Sequence, residues 1–185
     1  MKIYNLNETH RKSFMQDFEK YIEQEKIKNP YLEIVFLCVG TDRLIGDCFG
    51  PLVGSKLEKM FRQYNIFNIS IYGTLDENIC YTNIEKTLKK IKKLHKNPCI
   101  IVIDAALASE KNIGKIYVKT GNTEIANGIH KRTIKIGDIS IKAVVGKNYK
   151  TSKHNFLSLQ SASLNDIMEL SNIVAKGIYD IIKYA

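Results

Sequence analysis

No apolar run in the sequence approaches the ~18 residues that would mark a membrane-spanning helix. Membrane insertion through a helix is therefore not expected. The first ten residues, Met1 to His10, are polar and lack the apolar core of a secretory signal, which points to a cytoplasmic protein. Cysteine is sparse and unpatterned: Cys38, Cys48, Cys80 and Cys99 include no C-x-x-C spacing. That excludes a zinc ribbon and a disulfide framework, and it fits a reducing compartment. Proline occurs three times, and each instance punctuates the chain: Asn29-Pro30 and Pro98 close helical regions, while Gly50-Pro51 opens one. Internal repeats, linkers and low-complexity segments are missing too, so residues 1–185 are read as a single α/β domain.

Against these absences stands an ordinary globular composition, 44% hydrophobic and 25% charged, with a net charge of +9. The lysines are spread along the chain and no nucleic-acid motif accompanies them. The five lysines Lys86, Lys89, Lys90, Lys92 and Lys93 fall mainly on the outer face of one helix. They read as a solvated surface, and nucleic acid is not expected as a partner.

Hydrophobic patterning gives the architecture. Residues 8–27 carry a narrow apolar stripe, Phe14, Phe18, Ile22 and Ile27, and predict an extra N-terminal helix on the outside of the sheet or against a partner. Ile34 to Val39 is a continuous apolar run suited to a strand buried on both faces. A helix follows over about 52–64, then a strand over 68–72. The Thr82-Asn83-Ile84-Glu85 capping box starts a helix to about Lys96, with Ile84, Leu88, Ile91 and Leu94 inward. A third strand, Cys99 to Asp104, ends on its carboxylate. This β-α-β-α-β run predicts parallel strands in the order 2-1-3. Residues 114–119 and 138–145 alternate apolar and polar, as half-buried or edge strands do. Residues 120–132 and 146–155 read as loops. Ser163 caps a last helix whose apolar face includes Leu164, Ile167, Met168 and Leu170.

Two carboxylates converge in that topology. Asp47 follows the first strand beside a helix start, and Asp104 ends the third strand. Neighbouring strands whose connections leave to opposite faces open a crevice at their C-terminal ends. Close carboxylates push their pKa values apart, so one holds a proton while the other activates water. The same pair is also suited to a divalent metal.

Three motifs in this order resemble the YyaC-type sporulation proteins and, through them, the spore germination protease: Gly46-Asp47-Cys48-Phe49-Gly50-Pro51-Leu52-Val53, Tyr72-Gly73-Thr74-Leu75-Asp76 and Ile103-Asp104-Ala105-Ala106-Leu107. The resemblance implies a phosphorylase/hydrolase-like three-layer fold, shared with the hydrogenase maturation endopeptidases. It implies helices on both faces of a mostly parallel sheet with mixed edge strands. It also implies an atypical aspartic endopeptidase in which Asp47 and Asp104 are catalytic and no cofactor is needed. The alternative, by likeness to the hydrogenase enzymes, is a metal-dependent endopeptidase with a divalent ion at Asp47 and Asp104. A non-catalytic protein that holds spore proteins or nucleic acid is a third reading.

The substrate expected from the resemblance is a protein or peptide, with small acid-soluble spore proteins as candidates, in the cytoplasm of the forespore or sporulating cell. Homo-oligomerisation stays open. The substrate-binding set expected around the crevice is Asp42, Arg43, Gly50, Gly128, His130, Lys131 and Arg132, with backbone N–H groups near Gly50 as oxyanion donors.

Overall fold

The computed structural model describes residues 2–4, 8–30, 32–64, 69–126 and 133–183. The elements in chain order are β1 (Lys2–Tyr4), α1 (Glu8–Lys28), β2 (Ile34–Cys38), α2 (Phe49–Gln63), β3 (Ile69–Tyr72), α3 (Ile84–Leu94), β4 (Cys99–Ala108), β5 (Ile116–Thr120), β6 (Thr123–Ala126), β7 (Thr133–Ile136), β8 (Ile139–Lys147), α4 (Ser152–Gln160) and α5 (Leu164–Ile182). Six strands form one sheet in the order β1-β5-β8-β4-β2-β3. Its β8-β4-β2-β3 part is parallel, and β5 and β1 extend it antiparallel. The expected 2-1-3 order is thus present as β3-β2-β4. The remaining strands, β6 and β7, pair as a separate antiparallel hairpin.

The two faces of the sheet are covered differently. On one face α1, α2 and α5 bury Phe14, Phe18, Phe49, Leu57, Val174 and Ile178 against Phe36, Ile101, Ile103 and Ile141. On the other, α3 and the β6–β7 hairpin place Ile84, Ile91, Ile125 and Ile134 against Val35, Leu37 and Val102. Inner strands buried on both faces need apolar residues at every position, which is why β2 reads Ile-Val-Phe-Leu-Cys without alternation.

Several expectations are corrected. Helix α1 does not merely lie outside the sheet: Phe14, Phe18 and Ile22 are in the main core, and only Ile27 of its stripe is out, 82% exposed. The chain turns helical at Gly46, in a 3₁₀ turn that runs directly into α2, so Pro51 sits inside the first turn instead of opening it. That position is tolerated because the first four N–H groups of a helix have no intrahelical partner. Asn83, not Thr82, is the residue before α3, and the helix stops at Leu94, which is exposed. Leu164 and Met168 of α5 are likewise exposed, although Ser163 does cap that helix by accepting from the Asp166 N–H at 3.3 Å.

The segment read as a loop over 120–132 contains β6, and the one over 146–155 runs into α4, capped by Thr151. Strand β4 does not end at Asp104. It continues to Ala108 because β8 keeps pairing with it, from Asp104 opposite Lys142 to Ala108 opposite Lys147. No helix among the described residues is long and apolar enough to cross a membrane.

Candidate active site

The site arises from a mismatch in strand length. Strand β2 stops at Cys38, opposite Ile103, and Val39 donates its N–H to the Ile103 carbonyl at 2.8 Å. From Asp104 onward β4 has lost β2 as a neighbour but still has β8. The gap beside it is a cavity of about 490 Å³. Its floor comes from Asp104 to Leu107 of β4, and its walls include Asp47, Tyr81, Lys142, Asn155 and Phe156. Ile125 and Ile134 of the β6–β7 hairpin close one side.

Asp47 reaches the cavity from the 3₁₀ turn Gly46–Cys48. That turn is pressed against the end of β2. Gly40 has φ 141°, and a Cβ there would lie 2.0 Å from the Asp47 carbonyl oxygen. The Thr41 N–H donates to that same carbonyl at 3.2 Å. Burial pushes the Asp47 carboxyl from its ordinary 3.8 up to about 6; the nearby charge of Asp104 adds to the rise, and a backbone hydrogen bond from Thr41 opposes it. Asp104 is also raised, first by burial; the Lys142 ammonium and the Ala105 N–H pull the other way. Lys142 Nζ lies 3.3 Å from Asp104 Oδ2 and donates to the Glu124 carbonyl of β6 at 2.9 Å.

The two carboxyls therefore differ in kind. Both are desolvated, but among the described residues only Asp104 has a cation at ion-pair distance. A coupled pair of this sort gives up its protons in two steps. Between those two steps the arrangement presents one carboxyl acid and one carboxylate to the same cavity, which is the equipment for general acid–base attack of water on a carbonyl.

Of the sequence-predicted residues, Asp47 and Asp104 are brought together. Asp42 and Arg43 are exposed and do not line the cavity; Asp42 Oδ1 instead accepts from Asn78 Nδ2 at 2.7 Å. Gly50 is also absent from the lining. It is buried within α2, where a Cβ would lie 2.1 Å from the Val39 carbonyl oxygen, so its lack of a side chain permits the close approach of helix to strand. Gly128, His130, Lys131 and Arg132 lie outside the described residues.

Sequence reasoning missed Lys142, Tyr81 and the α4 residues Asn155 and Phe156. Lys142 and Ser140 form the polar face of β8, and alternation marks that face but not what it faces. The signal for α4 was Thr151 as a cap with apolar Phe156, Leu157 and Leu159 behind it.

A divalent metal needs more donors than the two aspartates supply. Among the described residues no third His, Cys, Asp or Glu joins the pair. The Lys142 ammonium already holds Asp104. Divalent cations are bound by several anionic or neutral donors, and an ammonium on one of two carboxylates works against them. The described residues do not fit such an ion.

The chain is 34% identical over 145 residues to the uncharacterized protein YyaC of Bacillus subtilis (strain 168), an alignment spanning 78% of this chain and 67% of that protein. Its fold is similar to that of a [NiFe] hydrogenase maturation protease, HycI, from Thermococcus kodakarensis KOD1, with a TM-score of 0.53 and 16% identity over 82% of this chain and 92% of that one. A likeness at that identity carries the fold alone, an α/β architecture with a mostly parallel sheet. A family model described as "Protein of unknown function (DUF1256)" matches residues 3–177, and the chain belongs to that family.

Proposed function

We propose that this protein is an endopeptidase that hydrolyses a peptide bond with Asp47 as acid and Asp104 as base. One observation carries the reading: two largely desolvated carboxyls from different segments line one cavity, and among the described residues only Asp104 has a cation at ion-pair distance. Asp104 takes a proton from water as the water oxygen attacks the carbonyl carbon. Asp47 gives its proton to the departing amine nitrogen as the C–N bond breaks. A carboxyl and an amine leave, and one proton transfer between the aspartates restores the starting state. The protease-like fold of the hydrogenase maturation neighbour is compatible with this chemistry. The motif resemblance to the germination protease extends the proposal to small acid-soluble spore proteins as substrates, in sporulating cells.

The test is cleavage of purified small acid-soluble spore proteins by the wild-type chain, Asp47→Asn and Asp104→Asn, with fragments followed by mass spectrometry, with and without chelator. Site-specific cleavage that both substitutions abolish and the chelator leaves intact supports the reading. Cleavage lost only on chelation, or tight binding without turnover by a folded protein, overturns it.

A further inference from the structure

Among the described residues the cation beside Asp104 has no counterpart beside Asp47, and its position is built rather than incidental. Lys142 is the register partner of Asp104 across the β4–β8 ladder, so both side chains leave the sheet on the same face. Its ammonium is fixed from two sides: by Asp104 Oδ2 at 3.3 Å and by the Glu124 carbonyl at 2.9 Å. It is only 23% exposed, and Asp104 13%. The other charged groups near it are otherwise engaged. Glu124 Oε1 faces Lys135 Nζ at 3.4 Å, and Lys119 Nζ, from β5, donates to the Asn122 carbonyl at 3.3 Å. Asp47 lies across the cavity. Tyr117 lines the adjoining groove with these groups.

We propose that Lys142 is a positioning residue that makes the two aspartates unequal, holding Asp104 as the ionised partner so that the proton of the pair resides on Asp47. The inference rests on the aspartate-pair reading for its catalytic meaning, but its physical content concerns the carboxyls alone. Without the ammonium, burial acts on both carboxyls unopposed by any side-chain cation among the described residues. Both then hold protons at a pH where the wild-type pair has released one, and the base is lost while the acid remains. Arginine keeps a cation at that position and asparagine or methionine does not.

The experiment is a ¹³C-carboxyl NMR titration of aspartate-labelled wild-type protein, Lys142→Met and Lys142→Arg, with Asp47→Asn and Asp104→Asn for assignment. Circular dichroism checks that each variant is folded. The expected result is an upward move of the Asp104 midpoint by about one pH unit or more in Lys142→Met, restored in Lys142→Arg. In cleavage assays the acid limb of the kcat profile moves up by a similar amount, with KM changed less than kcat. An Asp104 midpoint that stays in place in folded Lys142→Met overturns the inference. A midpoint that moves in a protein that cleaves nothing upholds the electrostatic inference and overturns the peptidase reading, so the two fail separately.

Discussion

Asp47 is the residue at which stability and chemistry pull against each other. Its folded-state pKa is raised, from 3.8 to about 6. A carboxyl raised by folding contributes its full share of stability below its unfolded value, and that share is lost as pH rises through about 6. Removing the ionisable group removes the loss. Asp47→Asn should therefore be more stable than wild type at pH 8 by about 2–3 kcal/mol, and no more stable than wild type at pH 3. Urea melts at the two pH values measure it, and equal stability at pH 8 would show that ionising this carboxyl costs the fold nothing. The same titration sets the expected activity profile: cleavage declines as pH rises above about 6, because the acid is then deprotonated.

Both aspartates were legible in the sequence, since each follows an apolar strand run and the strand order brings them together. Lys142 was not. It stands 38 positions beyond Asp104, and only the β4–β8 register, which no local pattern encodes, sets them opposite each other.

Among elements, the inner strands and the four-residue β3 were readable, and β6, β7 and α4 were not. Strands β2 and β4 announce themselves because inner parallel strands have no polar side. Strands β6 and β7 are four residues each, too short for a period to show. Helix α4 has no buried residue at all, so it lacks the stripe from which a helix is read. The β4 extension was missed because its continuation depends on β8 and not on its own sequence. The turn that carries Asp47 is held by the contact at Gly40, where φ is 141° and a Cβ would overlap the Asp47 carbonyl. Gly40→Ala should cost about 2–4 kcal/mol, from left-handed backbone strain together with overpacking. It should also displace Asp47, so that its carboxyl resonance returns toward the ordinary aspartate position in the NMR titration. Retained stability with an unshifted Asp47 midpoint would show that the turn tolerates the methyl group.

At the scale of the molecule, the N-terminal helix is part of the core and not an appendage. Phe14 and Phe18 stack with centroids 6.2 Å apart and lie in the same buried cluster as the sheet. Phe18→Ala should cost about 3–5 kcal/mol. It should lower the melting temperature by on the order of 10 °C, in one cooperative transition seen alike by near- and far-UV circular dichroism. Two separated transitions would mean that α1 unfolds on its own.

The unequal lengths of β2 and β4 have one more consequence, and it concerns time. Odd-numbered residues of β4 turn their amides toward β2, as the Cys99 N–H to Glu33 carbonyl bond at 2.8 Å shows, and even-numbered ones toward β8. Past Ile103 the odd amides look into the cavity, while the even ones keep their partners. In deuterated water Ile101 and Ile103 should exchange on the slowest clock of the protein, set by global opening, and Leu107 should exchange orders of magnitude sooner although it belongs to the same strand. A single ten-residue strand would then keep two times, and the boundary between them falls at Asp104.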